Sequence, residues 1–287
     1  MALSGAQRGR GDGVMHSVEE RIARVVGVFQ YGRAQDELFK DSVELERALV
    51  NTDALFISVS FEGAAAGLAY RQLQAGATRI DVPDWPAHAA QVHIGIGWAL
   101  AELSLRPDAY LSQFTGVMQG RVLDGFGYYS GLFRRRRCIQ AMDIPEGIPA
   151  QLLTAFDQGL GRAMWYISKG EIEPLMNMVG PFPKERKAGI WRGIGVAATY
   201  VGGLDDVGFE RLDLMARSSS PDFVVGVLLS AAGRITAGTD TGEVLGHLTS
   251  LGRTTDDVRM TIAVLSDSAD YAAALKAIGK LASAHRP

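Results

Sequence analysis

Phe156-Asp-Gln-Gly159-Leu-Gly161-Arg162 decides the fold, because the chain repeats it on both sides. The other copies read Val92-His-Ile-Gly95-Ile-Gly97-Trp98, Val122-Leu-Asp-Gly125-Phe-Gly127-Tyr128, Ile190-Trp-Arg-Gly193-Ile-Gly195-Val196 and a weaker Phe223-Val-Val-Gly226-Val-Leu228. Phe61-Glu-Gly-Ala64-Ala-Ala-Gly67 stands as a further copy. Anchored on the fourth residue of each, the spacings are 31, 30, 34, 34 and 33 residues. With no strand pattern between copies, that period is the length of a helix-turn-helix unit. One such hairpin cannot bury its own apolar face, so the units must stack. The expected fold is all-α, about six helix-turn-helix repeats of 30–34 residues in a superhelical array or an (α/α) ring. It forms a single domain over residues 17–287 behind a flexible polar tail at 1–16.

Working outward, Ser17 followed by Glu19 and Glu20 predicts the first helix start. Asp36–Val50 reads as a second helix. Leu55–Phe61 is β-branched enough to resemble a strand, but the helical pattern after it assigns it as a lead-in to Glu62–Gln74. Prolines at 83, 86, 107, 145, 149, 174, 181 and 183 mark corners between helices. Gly202-Gly203 and Gly238 stand where helices should stop. Thr254-Thr-Asp-Asp257 and Ser266–Asp270 open two final helices that serve as polar caps.

Glycine inside a helix costs ~1 kcal/mol relative to alanine, so its repeated use implies close packing in return. Gly193-Ile-Gly195-Val-Ala-Ala198 also fits a dinucleotide fingerprint. That fingerprint needs a preceding strand, which Pro181–Lys187 does not supply. Positions i and i+4 share a helix face. His93 therefore lies behind Gly97, Asp157 behind Gly161 and Trp191 behind Gly195, with Glu62 behind Ala66. An adjacent stripe carries Asp124, Gln158 and Arg162. Matched positions in a curved array converge on one concave surface. They nominate Asp157, Asp124 and His93 as acid–base groups, and Glu62, Gln158, Arg162, Trp98 and Trp191 as substrate-binding groups. The alternative is structural: the same groups satisfy helix ends or pair with each other.

A formal charge of -3 gives no general attraction to nucleic acid or anionic membranes. The single cysteine, Cys138, fits a reducing cytoplasm. No apolar run approaches the ~18 residues that span a bilayer, and no signal-peptide core opens the chain. Five histidines without ligand spacing give no metal site, and the absence of a P-loop or nucleophile elbow leaves no cofactor expected. Arg134–Arg137 reads as a solvated helix end, or as a site for a phosphate or acidic partner.

The repeat segments resemble a bacterial family of enediyne biosynthesis proteins. The likeness lies in Phe61–Ala69, His93–Leu100, Asp124–Gly127, Phe156–Arg162 and Trp191–Ala197. Members of that family accompany iterative polyketide synthases in specialised-metabolite gene clusters. The resemblance implies a cytoplasmic bacterial protein of secondary metabolism and supplies neither fold nor catalytic residues.

Two functions follow. One is a protein that encloses an apolar polyene or isoprenoid and works as a cyclase or isomerase, since carboxylates in a dry cavity hold protons near neutral pH. The other is a non-catalytic scaffold docking a polyketide synthase or tailoring enzyme. An apolar cavity favours the first and an open polar groove the second.

Overall fold

Ser17 opens the first helix with a reciprocal cap. Its hydroxyl accepts from the Glu20 amide, and the Glu20 carboxylate accepts from the Ser17 amide at 2.8 Å. The computed structural model describes residues 17–39, 41–216, 221–239 and 242–284. The expected tail at 1–16 lies outside them.

Helix α1 (Val18–Leu38) runs further than the sequence suggested, and α2 (Ser42–Val50) starts later. Asp36 belongs to the last turn of α1, buried and paired with Arg71. Asp41 caps α2 by accepting from the Val43 and Glu44 amides. Helix α3 (Ile57–Gln74) takes in most of the strand-like run. There follow α4 (Ala89–Glu102), α5 (Asp108–Leu111), α6 (Met118–Phe133), α7 (Leu153–Ser168), α8 (Ile172–Val179), α9 (Lys184–Val201) and α10 (Asp206–Ala216). The chain continues through α11 (Asp222–Thr236), α12 (Gly242–Ser250), α13 (Thr255–Asp267) and α14 (Tyr271–Ser283). Gly202, at φ 67°, ends α9. A Thr254–Asp257 capping box opens α13, and Asp270 caps α14. No strand forms among the described residues.

The long helices α1, α3, α4, α6, α7, α9 and α11 form a row, each packed on the next. They run parallel. Gly63 faces Phe29 and Arg33, and Gly67, one turn later, faces Asp36. Gly127 faces Gly159, and Gly131 faces Ala163. The chain returns between most of them through short segments containing α2, α5, α8 and α10.

Each glycine pair serves both flanks of its helix. Residues two apart point ~200° away from each other on a helix. The first glycine therefore meets the preceding helix and the second the following one. A Cβ on Gly97 would collide with the Val122 carbonyl of α6, and one on Gly125 with the Ile94 carbonyl of α4. The same reciprocal contact joins Gly127 to Gly159, Gly161 to Gly193, and Gly195 to Gly226. The residue between the glycines points outward under the return segments. Ile96, Phe126, Leu160 and Ile194 are all buried there.

The row closes on itself with a step. Arg21 of α1 donates to the Val201 carbonyl at the end of α9 (3.3 Å) and to Glu243 of α12 (2.6 Å). Arg234 of α11 donates to the Leu55 carbonyl ahead of α3 (2.9 Å) and to the Tyr200 carbonyl. The starts of the first helices thus meet the ends of the last. Helices α13 and α14 pack on α11, and the Tyr271 ring lies directly over Gly120 of α6.

Candidate functional site

The fourth face of each long helix, between its two packing flanks and opposite the outward residue, belongs to the residue after the second glycine. In successive repeats these are Trp98, Tyr128, Arg162 and Val196, and all four line one central cavity. One turn further along, Leu132, Tyr166 and Tyr200 continue the wall. Glu62 and Val59 come from α3, Phe29 from α1, and Leu229 and Ser230 from α11, so all seven long helices contribute. The cavity encloses about 570 Å³ and is mostly apolar.

Arg162 is the electrostatic centre of the wall. Its Nη1 donates to Asp124 Oδ1 at 3.2 Å, its Nη2 lies 3.9 Å from Glu62 Oε1, and its guanidinium sits 4.4 Å over the Tyr128 ring. Burial opposes its charge, but Asp124 and Glu62 outweigh that and hold it protonated. Glu62 is 4% exposed and makes no hydrogen bond among the described residues. Burial pushes its carboxyl up to about 7, with Arg162 opposing the shift and Asp124 adding to it. Tyr128 and Tyr166 pack edge to face at 5.3 Å, and burial raises both phenols above their ordinary range.

Of the residues nominated from sequence, Glu62, Arg162 and Trp98 lie on the cavity wall. Asp124 stands one layer behind, fully buried, accepting from Gln158 Nε2 at 2.7 Å as well as from Arg162. Gln158 in turn accepts from Arg192 Nε (2.9 Å) and from the Tyr271 hydroxyl (2.6 Å), and Arg192 reaches Asp222 (3.2 Å). Matched positions on α6, α7 and α9 therefore bond sideways to each other, and α14 covers them.

Asp157, His93 and Trp191 are not brought to the cavity. Each lies one turn before a packing glycine and shares that glycine's flank, so it points at the next helix. Asp157 grips Arg186 of α9 through Nη2 at 2.5 Å and Nε at 3.0 Å. Trp191 meets Phe223 of α11 edge-on at 6.4 Å. His93 bonds the Ala89 carbonyl at 2.7 Å and abuts Phe114, and burial lowers its pKa.

Sequence reasoning passed over Tyr166, Tyr200 and Arg121 on the wall. The signal for the first two was the position four residues after the one following the second glycine. Arg134 is absorbed in the fold, donating to the Ala101 carbonyl and to Ser104 Oγ. Among the described residues no helix is long and apolar enough to cross a membrane.

No curated protein and no solved structure matches the chain. A family described as a protein of unknown function (DUF1702) matches residues 7–263, through every helix of the row and into α13. The protein that forms this glycine-paired ring belongs to that family.

Proposed function

We propose that the ring is a cytoplasmic container for one elongated apolar molecule, a polyene or isoprenoid, and that Glu62 moves a proton on it. One observation carries this reading: a mostly apolar cavity ringed by seven helices, with a carboxyl on its wall that has no hydrogen bond among the described residues. Its volume falls within the range of small-molecule sites. A carboxyl that holds its proton to about pH 7 is matched to acid–base work at neutral pH. The resemblance to enediyne biosynthesis proteins supports a polyene-type chain made by a polyketide synthase.

The chemistry balances as an isomerisation or cyclisation. Glu62 gives its proton to a double-bond carbon, leaving a carbocation near the rings of Trp98 and Tyr166. Ring faces attract cations, and an apolar wall keeps water from capturing the intermediate. Loss of a neighbouring proton to the Glu62 carboxylate restores the acid. Arg162 then holds the carboxylate in place between proton transfers. A cavity of this kind favours a container over a scaffold that docks a synthase.

Complementation of a deletion strain, with metabolite profiling, tests this. Glu62→Gln should lower product per amount of soluble protein by roughly 10²–10⁴-fold. Asp157→Asn should lower it only as far as folded protein is lost. Wild-type product per soluble protein from Glu62→Gln would remove the proposed chemistry.

A further inference from the structure

Among the described residues, one cation on the cavity wall has nothing to pair with. Arg121, on α6, is 7% exposed and lines the cavity, yet it makes no hydrogen bond or ion pair with its side chain among the described residues. Every other buried arginine is engaged. Arg162 has Asp124, Arg186 has Asp157, Arg192 has Gln158 and Asp222, and Arg234 and Arg253 hold backbone carbonyls. Guanidinium does not give up its proton in proteins, so Arg121 keeps its charge inside an apolar enclosure. An uncompensated buried charge is costly, and an incoming anion relieves that cost.

The cavity wall also carries neutral polar groups. Ser230 Oγ on the same wall is buried without a partner. The Gln91 side chain also lines the cavity, its Nε2 lying 3.8 Å from where a Cβ on Gly233 would stand. The other end of the cavity is different. Phe133 and Val26 line it and are 62% and 43% exposed, and the one guanidinium there among the described residues, that of Arg33, is neutralised by Glu102 at 2.8 Å. Arg121 and Phe133 bracket about 18 Å of helix at 1.5 Å per residue. The site is therefore long, with an unpaired cation at one end and a largely apolar, charge-balanced mouth at the other.

We infer that the ligand is an elongated apolar carboxylate, its head paired with Arg121 and its chain running along α6 past Tyr128 to the mouth. This rests on the container reading and adds the substrate class to it. A diphosphate fits less well. One free guanidinium does not balance its charge, and Arg162 is already shared between Asp124 and Glu62.

The test uses a conjugated tetraene fatty acid, its methyl ester and an alkyl monophosphate of the same length, each titrated into the full chain by energy transfer from tryptophan. The acid should bind roughly 10–100-fold more tightly than the ester, as a charge-assisted pair predicts. Arg121→Met should bring the acid down to the ester's affinity and leave the ester unchanged, while Arg121→Lys should retain much of the difference. Without ligand, Arg121→Met should melt no lower than wild type, because it removes an unpaired buried charge. Equal binding of acid and ester by the wild type would overturn the head-group assignment and leave the container standing. Tighter binding of the monophosphate would overturn the carboxylate. Failure of all three probes to bind would overturn both readings, and these comparisons need no variant to fold.

Discussion

A carboxyl at position 62 that keeps its proton to about pH 7 makes stability depend on pH in a direction opposite to that of a salt-bridged acid. Below about 4.5, its ordinary value, Glu62 is protonated whether the chain is folded or not, and its contribution is fully present. As pH rises to about 7 the unfolded chain releases the proton and the folded one holds it, so stability falls. Glu62→Gln should therefore melt higher than wild type at pH 8 and about equally at pH 4.5. A melting difference that is the same at both pH values would show that burial does not shift this group. The same titration gives Glu62 its acid form below about pH 7 and its base form above it. Burial pushes the Asp157 carboxyl up as well, but there Arg186 holds both oxygens and opposes the shift, whereas Glu62 has only a distant guanidinium to oppose it.

At the scale of the helix, the glycine pair is a two-sided device, and its two members should be intolerant in the same way. Gly161→Ala would press a methyl group onto the Ile190 carbonyl of α9, backbone against backbone, with no side chain able to yield. The expected loss is at least the ~1–3 kcal/mol of ordinary overpacking. Gly27→Ala on α1 has open space around it and should gain about 0.5–1 kcal/mol from helix propensity. Chemical denaturation of the two variants reads both signs, and similar midpoints would mean the close contacts are not tight. This device is also why the fold was legible. A period of about 32 residues with small residues two apart can be read without coordinates, as can the caps at Ser17, Thr254 and Asp270. The site was legible only in part. Once the glycines are known to be flanks, the concave stripe is the residue after each pair, which names Trp98, Tyr128 and Arg162. Reasoning by i and i+4 from the glycines led instead to Asp157, His93 and Trp191, which share the packing flank. Arg121 falls on the concave stripe too, but that its charge has no partner depends on what the neighbouring helices bring to it.

Across the whole molecule, a closed row should behave unlike an open one. Open repeat arrays lose their ends first, because each unit touches only its neighbours. Here Arg234 ties α11 to the segment before α3, and Arg21 ties α1 to α9 and α12. Thermal unfolding should be a single transition, and Arg234→Ala, which frees the Leu55, Tyr200 and Thr239 carbonyls at once, should lower it by at least about 5 °C. An unchanged melting temperature would mean the closure is incidental. The parallel direction of the long helices has its own consequence. In an up-and-down bundle neighbouring peptide dipoles cancel, whereas here they add, with roughly half a positive charge at each helix start and half a negative charge at each end. Side-by-side alignment of this kind is repulsive, and the ring meets it with arginines at the negative ends. Arg134 sits on the last carbonyls of α4, and Arg21 and Arg234 on those of α9. Because the ring closes with a step, it also sets the positive starts of α1 and α3 beside the negative ends of α9 and α11. Arg21 and Arg234, which close the ring, sit at that junction of opposite partial charges.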